Sequence, residues 1–175
     1  MGSRSLDNAV VVITGASSGI GRAAATEFAR AGCRVVLAAR TEPRLLAAAA
    51  AIESTGGRAI PVVCDVRRES DVSCLMEAAR AAFGRIDILV CNAGVGLYSR
   101  VEEIPLPALH SVFDVNFFGV VRCVQAALPG MLQQRSGLIQ IVSSVIGRRA
   151  IPGYAGYCAT KFALGALAES LRLEV

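Results

Sequence analysis

The sequence has a single lysine, Lys161, among 18 basic side chains; all the others are arginine. It has one histidine, His110, no tryptophan, and only three asparagines, Asn8, Asn92 and Asn116. One histidine and no C-x-x-C pair leave no ligand set spaced for a metal, so no metal centre is expected. No apolar run reaches about 18 residues, so no membrane span is expected. The opening, Met1 to Asn8, is polar and lacks the apolar stretch of a signal peptide. The net charge of +4 is mild and the arginines are scattered, which does not suggest a nucleic-acid partner. The six cysteines, Cys33, Cys64, Cys74, Cys91, Cys123 and Cys158, lie mostly within apolar runs. They read as buried, reduced thiols of a cytoplasmic protein. His110 is expected on a helix surface.

What is present is apolar. Hydrophobic residues make up 54% of the chain and charged ones 18%, which suggests strands covered on both faces. The 175 residues read as a single domain, 1–175. The short apolar run at 10–13 and the mostly apolar stretches at 34–39, 59–63, 86–90 and 138–142 read as strands. Between them lie helical stretches at 22–31, from Thr41 to about 55, 69–83 and 106–134, and a last helix reaches Val175. Pro129 marks a kink or an early end in the long one. Strand and helix alternate throughout. The fold class that follows is α/β: a doubly wound, Rossmann-type parallel sheet with helices on both faces and right-handed crossovers. Ligands of such a sheet bind at the carboxyl ends of its strands.

The stretches after the strands carry the chemistry. After the first comes Thr14-Gly15-Ala16-Ser17-Ser18-Gly19-Ile20-Gly21. Its glycines suit a tight turn, a close approach of backbone to a pyrophosphate and close helix packing, and the helix N-terminus offers amides to phosphate. A plain strand-to-helix turn is the alternative. After the second strand stands Arg40, with no carboxylate until Glu42. Arg40 reads as the partner of a ribose 2′-phosphate, hence NADP rather than NAD, or else as a solvated arginine opening the next helix. Asp65, followed by Val66, either bonds an adenine amino group or caps or precedes the next helix. Asn92-Ala93-Gly94 follows the fourth strand and Ser143-Ser144 the fifth. Asn116 falls mid-helix, where asparagine is unfavourable.

Tyr157 and Lys161 sit four residues apart, on one face if the stretch is helical. An ammonium beside a phenol favours the phenolate, so the pair reads as a tuned acid/base. Any surface helix offers such a pair by accident. Here, where arginine fills every other basic position, the one lysine argues for a position that needs a compact ammonium.

Thr14-Gly15-x-x-x-Gly19-x-Gly21, Asn92-Ala93-Gly94, Asn116, Ser144 and Tyr157-x-x-x-Lys161 together resemble the short-chain dehydrogenase/reductases, in order and spacing. The resemblance implies an oxidoreductase that interconverts a carbonyl and an alcohol with NADP(H), NAD(H) being less favoured. It implies that Tyr157 is the general acid/base, that Lys161 holds the nicotinamide ribose and tunes the phenol, and that Ser144 orients the substrate oxygen. Asn116 would support a proton-relay water. Thr14, Gly15, Ser17, Ser18, Gly19, Ile20, Gly21, Arg40, Asp65, Val66, Asn92, Ala93 and Gly94, with Tyr157 and Lys161, would contact the cofactor. The stretches 106–134 and 154–175 resemble the family's paired oligomer helices, which implies a homo-oligomer, dimer or tetramer. Family members continue with two more strands and a segment that closes over nicotinamide and substrate. A C-terminally truncated form is therefore expected, and an inactive nucleotide-binding or partner-binding fragment is the alternative function.

Overall fold

The computed structural model describes residues 6–175. Of the polar opening at Met1 to Asn8, residues 1–5 lie outside the described residues. Five strands form one sheet: β1 (Val10–Thr14), β2 (Arg34–Ala39), β3 (Arg58–Val63), β4 (Ile88–Cys91) and β5 (Leu138–Ile141). The order is β3-β2-β1-β4-β5, and every pairing is parallel. The helices are α1 (Gly19–Arg30), α2 (Glu42–Glu53), α3 (Glu69–Phe83), α4 (Leu106–Phe113), α5 (Gly119–Gln133) and α6 (Ala155–Glu174). A π-helical segment, Asp114–Phe118, joins α4 to α5, and 3₁₀ turns cover Val101–Glu103 and Val145–Gly147.

The period of two along each strand divides the core. Val11, Ile13, Val35 and Leu37 face α1 and α2, where Ala25, Leu45 and Ile52 meet them. Val12, Val36 and Leu89 face the other way, onto Leu75, Met76, Val120 and Leu164 of α3, α5 and α6. The chain runs outward from β1 to β3, then crosses back to place β4 on the other side of β1. At that reversal the helices that follow β1 and β4 lie on opposite faces of the sheet, and an open parallel sheet binds its ligands in the crevice beyond the carboxyl ends of two such strands.

Several expectations need correction. Pro129 neither ends nor interrupts its helix, which runs on to Gln133. Pro129 and Gln125, whose carbonyl loses its usual donor, are both exposed, so water can replace the missing bond. The long stretch is instead broken earlier, by the π segment. The run Leu106–Gln133 is long and apolar enough to cross a membrane by length and composition. Within it Val112, Cys123, Val124 and Met131 are buried in the protein, while Leu106, Phe118 and Leu132 are exposed. Thr41 occupies the N-cap of α2 but makes no side-chain cap bond, and that helix ends at Glu53. Cys74 is exposed on α3, although the other five thiols are buried; all six are free. His110 is exposed, as expected. β5 pairs only with β4 and forms an edge of the sheet.

Candidate active site

Thr14 closes β1 and organises the crevice. It is buried, and its Oγ1 donates to the Val90 carbonyl at 3.4 Å. The same oxygen accepts from the backbone N–H groups of Asn92 at 3.0 Å and Ala93 at 3.1 Å. Asn92 returns the tie: its Nδ2 donates to the carbonyls of Thr14 at 3.0 Å and Gly15 at 3.2 Å. The turns after β1 and β4 are thus one hydrogen-bonded unit.

The glycine turn fits a dinucleotide. A Cβ on Gly21 would stand 2.4 Å from the Gly15 carbonyl oxygen, so α1 can start this close to β1 only with glycine there. Gly19 adopts φ +53 and has nothing within 4 Å of where a Cβ would lie, which leaves open space before the helix N-terminus. Ser18 occupies the N-cap without a side-chain bond, and the first turn of α1 has no acidic residue. Its first amides and positive dipole end therefore remain available to an anion. Ser17 is half-buried beside them, and Ile20 is 69% exposed at the same mouth. These residues fit a pyrophosphate.

Arg40 is exposed at the end of β2. Asp65 follows β3, close enough for Arg40 to act on it electrostatically. Arg67 claims the Asp65 carboxylate: Nε lies 3.0 Å from each oxygen and Nη2 2.5 Å from Oδ2. That clamp holds the Asp65 carboxyl well below the usual range, at about 2. Asp65 precedes α3 without capping it, since Arg68 is the N-cap. Val66 is buried and packs on Gly119, just past the π segment, where a Cβ would stand 2.7 Å from its Cγ2.

The π segment explains the asparagine within it. Asn116 is fully buried. Its Oδ1 accepts from Val95 N–H at 2.8 Å, and its Nδ2 donates to the Val95 carbonyl at 2.9 Å and to Thr160 Oγ1 at 3.2 Å. The side chain is therefore spent on structure, so any water it supports must use its backbone. Nothing in the sequence points to Thr160 beyond a hydroxyl one position before Lys161; its Oγ1 donates at 2.8 Å to the Tyr157 carbonyl and passes the tie to α6.

Tyr157 and Lys161 share one face of α6, with Nζ 5.6 Å from the centre of the tyrosine ring. Lys161 is 4% exposed, its Nζ donates to the Val142 carbonyl at 3.0 Å, and burial pulls its pKa below the ordinary 10.5. Gly94 is exposed beside that ammonium, with a Cβ position 3.8 Å from Nζ. Ser144 caps the 3₁₀ turn, its Oγ accepting from Ile146 N–H at 3.4 Å. Ser143 faces α6 instead, donating to the Lys161 carbonyl at 3.4 Å. All the residues expected at the site follow strand carboxyl ends or stand on the π segment and α6 beside them. Among the described residues no His, Cys, Asp and Glu group could hold a metal.

The profile of the short chain dehydrogenase family matches residues 9–175. An uncharacterized oxidoreductase of Listeria monocytogenes is 39% identical over 169 residues, covering 97% of this chain and 68% of that protein. A short-chain dehydrogenase/reductase of Burkholderia phymatum, solved in complex with NAD, superposes with a TM-score of 0.96 at 36% identity. The match covers 99% of this chain and 62% of that one. An alcohol dehydrogenase of the archaeon Thermococcus sibiricus, complexed with 5-hydroxy-NADP, superposes at 0.91 with 34% identity, over 96% of this chain and 72% of that one. The chain thus spans about two thirds of these proteins' length, and within that span it belongs to the short-chain dehydrogenase/reductase family of oxidoreductases.

Proposed function

We propose that this chain carries the cofactor and proton-transfer apparatus of an NADP(H)-dependent oxidoreductase that interconverts a carbonyl and an alcohol. The observation that carries the reading is the buried Lys161 ammonium held 5.6 Å from the Tyr157 ring. Burying a lone cation is costly, and its placement beside a phenol has a chemical use. The cofactor, when bound, supplies or accepts the hydride. Tyr157 gives its proton to the substrate oxygen during reduction, and Ser144 donates a hydrogen bond to the same oxygen. Lys161 holds the nicotinamide ribose and sets its positive charge beside the Tyr157 ring. The amides at the start of α1 hold the pyrophosphate, Arg40 the 2′-phosphate, and Asp65 with Val66 the adenine end. Gly94 stands where the nicotinamide ribose would meet Lys161.

The free thiols fit a reducing cytoplasm. The exposed apolar side chains Leu106, Phe118 and Phe162, on or beside α4, α5 and α6, fit a homo-oligomer. The rival function, nucleotide binding without turnover, draws on the β5 edge, which no described strand covers. One experiment separates the two. NADPH binding, followed by nicotinamide fluorescence, is set beside reduction of a panel of aldehydes and ketones by the same chain. Binding with turnover supports the oxidoreductase, binding alone the rival, and absence of binding defeats both.

A further inference from the structure

The loop after β4 is fastened along the start of α6. Leu97 packs on Gly156, where a Cβ would meet its Cδ2 at 3.0 Å. Ser99 N–H donates to the Gly153 carbonyl at 2.9 Å, and Ser99 pairs with Tyr154 in a short parallel bridge. Tyr98 lies against Gly153, where a Cβ would stand 2.5 Å from its ring. Gly153 has φ +78, a conformation that L side chains rarely adopt. The rings of Tyr98 and Tyr154 meet edge to face, with centroids 5.1 Å apart and planes at 69°. Tyr154 is the N-cap of α6, three residues before Tyr157.

This seat orients Tyr98 without covering it. The residue remains 73% exposed, although its loop is anchored at both ends of the contact. Other exposed apolar side chains stand on the loop between Ser144 and α6: Val145 at 85% and Ile151 at 42%. An aromatic ring already held in place gives up little freedom when a flat ligand stacks on it, so more of the stacking energy appears as affinity.

We propose that Tyr98, seated by Gly153 and Tyr154, is a specificity residue that stacks on the ring of an aromatic carbonyl substrate or its alcohol product. The proposal deepens the oxidoreductase reading and rests on it. The test uses the whole chain with an aryl ketone and an alkyl ketone of equal heavy-atom count. Binding of each is measured by ligand-observed NMR with and without NADPH, and NADPH binding is measured separately.

The expected result is an aryl preference of about fivefold or more that Tyr98→Ala abolishes and Tyr98→Phe keeps, with NADPH binding unchanged. Equal binding of the two ketones by the wild type, or a preference that survives Tyr98→Ala, overturns the proposal. If NADPH fails to bind or no ketone is reduced while the Tyr98-dependent preference remains, the oxidoreductase reading fails and the aromatic seat stands.

Discussion

Asn116 Nδ2 donates to Thr160 Oγ1 at 3.2 Å, and Thr160 Oγ1 donates to the Tyr157 carbonyl at 2.8 Å. Two residues with no charge therefore tie the π segment to α6, which carries Tyr157 and Lys161. Asn116 also satisfies both backbone groups of Val95. Asn116→Ala would strand a partly buried N–H and carbonyl together, at a cost of about 2–4 kcal/mol. Urea denaturation of wild type and variant measures the difference. A loss under roughly 0.5 kcal/mol, the level of an ordinary surface change, would contradict this role.

Arg40 and Asp65 stand at neighbouring strand ends, and the Asp65 carboxylate is already held by Arg67. That leaves Arg40 exposed at the end of β2, where the proposed NADP(H) function has it meet a 2′-phosphate. Arg40→Asp should remove a charged contact of about 1.5–3 kcal/mol and shift the preference towards NADH by about tenfold or more. Titrating both cofactors into both proteins checks it. Wild-type binding of NADH at least as tight as NADPH would remove the basis for the NADP assignment.

The Asp65–Arg67 clamp also predicts an acid response. The Asp65 carboxyl lies at about 2 in the folded chain, against an ordinary 3.8. A depressed folded value contributes stability that is present above 3.8 and is lost as pH falls through about 2. Asp65→Asn lacks this contribution. The wild type should be the more stable at neutral pH, and the gap between the two denaturation midpoints should close through that acid window. A gap that stays constant on acidification would mean that the clamp contributes nothing.

The sequence reads well where one local rule governs. The strand Arg34–Ala39 is an apolar run, Val35 to Ala39, between Arg34 and Arg40, and its bounds follow to the residue. Glu69–Phe83 does too, because Gly84 closes it with φ +81. The motifs at 14–21, 92–94 and 143–144 are equally easy to place, since each follows a strand and a parallel sheet brings those ends to one edge. The π segment is not. Its apolar spacing differs little from an α-helix, and only an asparagine in an unfavourable place marks it. The Lys161–Val142 and Asn116–Val95 bonds end on backbone carbonyls and amides, which every residue has, so no side-chain pattern announces them. Pro129 misleads for a related reason. The cost of a proline depends on whether its stranded carbonyl is buried, and burial is a tertiary property.

Tyr157 and Lys161 are expected to separate cleanly by mutation. Tyr157→Phe keeps the ring and removes the proton donor, so NADPH binding should survive while carbonyl reduction falls by about 10²-fold or more. Lys161→Arg replaces a compact ammonium with a planar fork, in a site only 4% exposed, and should impair both. Stability should move the other way. Burial holds the Lys161 pKa below 10.5, so between the two values the unfolded chain binds more protons than the folded one. Stability then rises with pH through that window and is lost as pH falls through the folded value. Lys161→Met keeps an unbranched stem of similar size and has no proton to release, so that pH dependence should vanish. At neutral pH it should be no less stable than wild type, because a desolvated charge has gone along with its single bond to Val142. Denaturation midpoints of both proteins, followed from neutral pH to 10.5, test this directly. Parallel curves would mean that burial does not strain the ammonium. A Tyr157→Phe variant that reduces substrate near the wild-type rate would remove Tyr157 as the proton donor.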